Sequence, residues 1–185
     1  MSSISLKLTN LRAFLSKRPL VKGMVAYTVL WPTSSLVQQT IEGKTWNTYD
    51  WKRCFRFAVF GGLFVAPTLY GWVRFTSVMW PRTNLKTAIS KALVDQVSYG
   101  PFAISSFYVG MSLLELKSFD ESIQECKNKF FPTWKVAALV WPVLQTINFS
   151  LIPEGNRVVF VSICSVLWTT FLAYMKRLDK LKQEQ

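Results

Sequence analysis

Long apolar runs take up most of this chain, and they leave few folds open to it. They lie at about 20–41, 55–80, 85–116, 133–152 and 158–175, with short charged or turn-rich segments between them. A helix needs roughly 20 mostly apolar residues to cross a bilayer. Only 17% of the 185 residues are charged, too few to surface a soluble domain of this size. The expectation is an all-α fold, a multi-span transmembrane helical bundle. It has four spans, with five helical segments if the last run packs shallowly. A basic segment at 1–19 precedes the bundle at 20–177, and a charged tail at 178–185 follows it.

The net charge of +12 first suggests nucleic acid, but the basic residues flank apolar runs instead of forming one patch. The lipid bilayer is therefore the expected partner, and nucleic acid is not. Eight Trp and six Tyr, many near run ends, suit the bilayer interface. The chain has no histidine, which removes the commonest general base and metal ligand. Cys54, Cys126 and Cys164 are far apart and form no CxxC pair. No phosphate loop, triad or HExxH is present. The reading is a non-enzyme without cofactor or metal.

Before Glu42, the first acidic residue, stand Lys7, Arg12, Lys17, Arg18 and Lys22, interleaved with serines and apolar residues at helical spacing. This pattern suits a mitochondrial targeting region or the positive flank of the first span. The first span carries Thr33, Ser34, Ser35, Gln38, Gln39 and Thr40 in its second half, a face expected to turn into the bundle. In the second span, Gly62 and Ala66 permit close helix approach, and Pro67 is expected to kink the helix. In the third, Pro101 is a second expected kink, and Ser106 and Gly110 form another small pair. The segment 118–129 reads as a short exposed amphipathic helix, with Ser118 and Glu121 as its capping box. Its acidic residues, with Glu115, read as a solvated face. Trp141-Pro142 places a kink in the fourth span, and 153–156 reads as a turn. Both chain ends are basic, which favours four spans, since they then share one side.

Asp95 is the most informative residue, because a carboxylate within a span is rare. Lys91 lies one turn before it, and Arg157 is another candidate partner. Asp95 either lines a polar pathway or forms a structural ion pair that fixes helix register, and the structural reading weighs more. Gln96, Gln38, Gln145 and Asn148 are polar at membrane depth. They either line the same path or glue helices together, and glue is the stronger reading.

The set Asp95-Gln96, Pro101, Trp141-Pro142, Gln145, Asn148-Phe149, Pro153, Arg157 and Trp168 resembles the Mpv17 / PMP22 family of small multi-span organelle proteins. Phe107-Tyr108-Val109-Gly110-Met111-Ser112 is similar to its Mpv17-like branch. Two motifs depart from the family. Ser34-Ser35 stands where many members have Gly-Asp. The second span reads Ala66-Pro67-Thr68-Leu69-Tyr70-Gly71-Trp72-Val73 where many have a histidine, which leaves Asp95 as the main charged candidate. The resemblance implies four spans and a mitochondrial membrane, the inner one in the first instance, with the peroxisomal membrane as alternative. It also implies a pore or permeability role (a channel) linked to reactive oxygen species. The alternative is a non-conducting scaffold. A homo-oligomer or an unidentified membrane-protein partner is compatible with either.

Overall fold

The computed structural model describes residues 18–81, 85–152 and 154–183. The described residues form six helices and no strand. Helix α1, Pro19–Ile41, opens on a proline, whose missing N–H costs nothing in a first turn. Helix α2, Trp51–Met79, starts at Asp50, whose side chain accepts the Arg53 N–H at 2.9 Å. Next come α3, Leu85–Val97, and α4, Tyr99–Leu114. They are followed by α5, Phe119–Ser150, and α6, Glu154–Gln183.

The prolines occupy three different settings. Pro67 does not break α2. The six residues Phe60–Val65 form a π-helix that ends two positions before it, and the chain continues as α-helix from Ala66. The wider turn takes up the position where a proline would otherwise meet a carbonyl of the preceding turn. Helix α5 likewise runs through Pro132 and Pro142. Pro101 sits next to a true break, because α3 and α4 meet at Ser98 with a bend of 43°. The third run is thus two helices.

The segment at 118–129 is not a separate exposed helix but the first third of α5. Its capping box is as expected, with Ser118 Oγ accepting from the Glu121 N–H and the Glu121 carboxylate accepting from the Ser118 N–H. The α4–α5 connection closes by Leu116 in the left-handed region, at φ 62°. Lys117 N–H donates to the Ser112 carbonyl at 3.1 Å and Leu116 N–H to that of Leu113 at 2.9 Å. This six-to-one and five-to-two pairing normally has glycine at the left-handed position. The expected turn at 153–156 is shorter: Pro153 lies outside the described residues, and α6 begins at Glu154.

Contacts fix the helix directions. Gln39 meets Cys54 while Thr28 faces Gly62, so α1 and α2 are antiparallel. Phe60 faces Gly110 and Thr68 meets Tyr99, so α4 opposes α2. Tyr108 bonds Thr133, and Ser112 bonds Glu125, so α5 opposes α4. Lys129 reaches Lys176 and Trp141 stacks near Trp168, so α6 opposes α5. Helix α6 also runs beside α1, pairing Ser34 with Thr170 and Glu42 with Arg177. The last apolar run is therefore a full pass of the bundle, not a shallow one. With α3 and α4 as one bent pass, the bundle has five passes, and residues 18 and 183 lie at opposite ends.

Close approach depends on glycine at three places, one of them Gly110, where a Cβ would strike the Phe60 ring. A Cβ on Gly61 would strike the Trp31 ring, and one on Gly62 would strike Thr28. The central core joins Trp31, Phe57, Phe60, Phe107, Tyr108 and Met111 in one cluster of tilted and edge-on rings closed by a methionine. Polarity is inverted relative to a soluble protein. Ser34, Ser35, Gln39, Ser112 and Thr133 are fully buried, while Leu63, Val73, Leu139, Val143 and Leu167 are each more than half exposed. Thr33 and Thr40 instead face outward and bond their own helix. By length and composition, one described helix, Trp51–Met79, is apolar enough to cross a membrane. The bent pair of α3 and α4 makes a second if taken as one span.

Candidate functional site

Two polar centres lie at opposite ends of the bundle. The first surrounds Asp95. The Trp72 indole N–H donates to Asp95 Oδ1 at 2.6 Å, which ties α2 to α3. Trp72 stacks on Tyr99 with centroids 5.6 Å apart and planes 15° apart, and the Tyr99 hydroxyl pairs with Thr68 at 3.2 Å. The expected Lys91 partner is not in contact. Its charge acts on Asp95 through space, but no ion pair within 4.0 Å joins them. An indole from another helix therefore takes the place the sequence reading gave to an ammonium. The side chains of Arg157 and Asn148 lie outside those described.

Asp95, Gln96 and Gln145 line one cavity of about 390 Å³, to which every helix of the bundle contributes. Trp31, Phe60 and Phe107 border it toward the middle of the bundle. Gln96 Nε2 is buried without a hydrogen-bond partner, while the Gln96 carbonyl accepts from Trp134 Nε1 at 3.1 Å. Outside the bundle, an open groove over Thr68, Gly71, Trp72, Phe75, Ser98, Tyr99 and Phe102 adjoins the cavity and shares Thr68, Tyr99 and Phe102 with it.

Gln38 does not join this centre. It lies near the other end, buried, where its amide donates to Glu42, and Glu42 pairs with Arg177 at 3.3 Å. Gln39 beside it accepts the Asp50 N–H at 2.6 Å and lies 3.4 Å from Cys54 Sγ. Gln39 thus bonds across from α1 to the start of α2, whereas the bond of Gln38 stays at the end of its own helix.

The second centre is an ion cluster that the sequence reading assigned to solvent. Glu125 Oε2 accepts from Lys117 Nζ at 2.7 Å, Lys176 Nζ at 2.9 Å and Ser112 Oγ at 2.8 Å. Its Oε1 accepts from Lys129 Nζ at 3.0 Å. The side chains of Glu125, Lys129 and Lys176 are 9%, 6% and 3% exposed, so these are desolvated charges. Lys129 also donates to the Lys176 carbonyl at 2.8 Å, and Glu115 lies 3.6 Å from Lys176. Nearby, Arg53 donates to the Ala173 carbonyl at 2.6 Å, again crossing from α2 to α6.

Burial works against ionising Glu125, but Lys117, Lys176 and Lys129 outweigh it and hold its carboxyl well below the usual range. For Lys117, burial pulls the ammonium down, but the bond to Glu125 and the charge of Glu115 leave it above its ordinary value. Burial pulls Lys176 below its ordinary value, against the attraction of Glu115 and Glu125. Three cationic donors thus converge on the one Glu125 carboxylate. One signal could have revealed it. Ser122, Lys129, Thr133 and Ala137 recur at helical spacing, and all are buried, so the inward stripe of α5 is polar before it becomes apolar.

A family profile described as the Mpv17 / PMP22 family matches residues 112–173. An Mpv17-like protein of Xenopus laevis is 33% identical over 166 residues, 90% of this chain and 81% of the relative. A PXMP2/4 family protein 4 of Dictyostelium discoideum is 34% identical over 127 residues, 69% of each chain. The protein of Caenorhabditis briggsae named mitochondrial inner membrane protein Mpv17 is 27% identical over 175 residues, 95% of this chain and 96% of the relative. No solved structure matches.

Proposed function

The chain belongs to the Mpv17 / PMP22 family, and from that premise we propose that it is a permeability-modulating pore of an organelle membrane, here in a closed state. The inverted polarity of the bundle carries the reading. Serines, threonines and glutamines share the inside with the aromatic core while leucines and valines cover the outside, the arrangement expected when the outer surface meets lipid. The five passes then set residues 18 and 183 on opposite faces of the membrane, where the four-span reading put both basic ends on one. The membrane is the mitochondrial inner membrane, in keeping with the name of the Caenorhabditis relative, with the peroxisomal membrane as alternative.

The cavity lined by Asp95, Gln96 and Gln145 among mainly apolar walls is the entrance. Below it the ring cluster of Trp31, Phe57, Phe60 and Phe107 blocks the axis, and the Glu125 cluster pins α4, α5 and α6 together beyond that. Asp95 sets the charge preference of the entrance. A link to reactive oxygen species follows from permeability alone, and no catalytic step is part of the proposal.

The test is solute and ion flux through the purified protein in liposomes. Flux whose cation preference falls in Asp95→Asn supports the pore. No flux from folded, inserted protein refutes it and favours the scaffold reading. That scaffold would use exposed Lys127 but not Lys129, which is buried in the cluster.

A further inference from the structure

The cavity beside Asp95 is suited to holding a molecule as well as to passing one. Three observations meet there. Its walls are mainly apolar and aromatic, and its volume of about 390 Å³ lies in the range of small-molecule sites. The carboxylate of Asp95 stands at one side with an indole N–H on one oxygen and no cation in contact among the described residues. A carboxylate at this depth calls for a counter-charge. The open groove on the outer face of α2 and α4 leads to the same wall, through Thr68, Tyr99 and Phe102.

The depth is also consistent. Trp72 lies seven residues from the end of α2, and the cavity runs from there toward Trp31 and Phe60 in the middle of the bundle. A head group beside Asp95 would thus sit near the membrane interface while a chain reached inward. The Asp95 carboxylate on that wall favours a cationic head.

We propose that the cavity binds a single-chain amphiphile with a cationic head, taken from the bilayer through the groove over Tyr99 and Phe102. Its ammonium pairs with Asp95 at the cavity wall, and its hydrocarbon chain fills the space beneath. The proposal rests on the cavity and Asp95, not on conduction. Absent flux with intact binding would refute the pore and leave this inference standing.

The probe is ω-brominated dodecyltrimethylammonium, whose bromine quenches indole fluorescence, titrated against the full chain in lipid nanodiscs. Trp31, Trp141 and Trp168 line the cavity and report its occupancy. Brominated dodecanol and brominated dodecanoate are the same-length controls. The expected result is saturable quenching by the cation, weaker binding of the alcohol and no saturable component for the anion. Asp95→Asn raises the half-saturating concentration of the cation about tenfold, as loss of one charge pairing would, and Asp95→Glu restores it. Ala103→Phe, which fills the cavity, removes saturable quenching by the cation and the alcohol alike. Retained thermal unfolding transitions show that the variants are folded. Equal binding of cation and alcohol, tighter binding of the anion, or indifference to Asp95→Asn or Ala103→Phe would each overturn the proposal.

Discussion

Glu125 and Asp95 are both carboxylates on helices of the bundle, yet their surroundings differ sharply. Glu125 meets three ammonium groups within 3.0 Å and a serine hydroxyl besides. Asp95 meets one indole N–H, and its nearest lysine stays out of contact. Around Glu125 the helices are fastened across α4, α5 and α6 with no comparable cavity described between them. Around Asp95 they part, leaving a space that every helix lines. A charge fully matched by its neighbours holds structure together, and a charge left partly matched is available for something else.

The largest expected effect tests the fastened end. Glu125→Gln leaves the two buried ammonium groups of Lys129 and Lys176, and the partly exposed one of Lys117, without their shared anion, and breaking a buried pair this way costs about 3–5 kcal/mol. Thermal unfolding in detergent should show a large loss of stability, and an unchanged transition would mean the cluster is solvated after all. Acid probes the same group. The folded-state value of Glu125 is depressed, so its contribution is complete above the unfolded carboxyl value of about 4.3. It is lost as pH falls through the lower folded value. Stability should therefore drop below about pH 4, with a smaller drop in Glu125→Gln.

Next in size is the packing that joins the two ends. Gly61→Ala places a methyl against the Trp31 ring, and Gly62→Ala places one against Thr28. Either should cost about 1–3 kcal/mol in the same unfolding measurement, the range for overpacking a tight contact. At the open end, Asp95→Asn keeps an acceptor for Trp72 and breaks no ion pair, so its stability should change by less than about 1 kcal/mol. An effect as large as that of Glu125→Gln would erase the distinction between the ends. A change of opposite sign concerns Leu116. It is 90% exposed and holds a left-handed conformation, so Leu116→Gly should stabilise by roughly 1 kcal/mol.

The sequence displayed local geometry well and long-range pairing poorly. The extent of α1, the capping box at Ser118 and Glu121, and the inward face of Ser34, Ser35, Gln38 and Gln39 follow from composition and spacing within a few turns. Gly62 and Gly110 were legible as close-approach positions, since small residues at such spacing have few other uses in a span. The ion cluster was not legible, because Glu125 and Lys176 are 51 residues apart and each lies in a charged segment that reads as solvated. Its burial depends on α5 and α6 being long enough for their charged ends to pack side by side. The role of Trp72 was hidden for a similar reason. Lys91 is one turn from Asp95, and helical spacing points there first, whereas the indole comes from another helix.

One measurement tests the contrast between the ends most directly. After the native cysteines are replaced, single cysteines at Ala103 and Gln145 report the cavity, and single cysteines at Ser35 and Ser112 report the fastened end. Each is treated in intact proteoliposomes with a small, membrane-impermeant methanethiosulfonate applied to either face. The account predicts labelling at 103 and 145 from one face only, with 35 and 112 protected from both. Labelling at 35 and 112 with protection at 103 and 145 would contradict it.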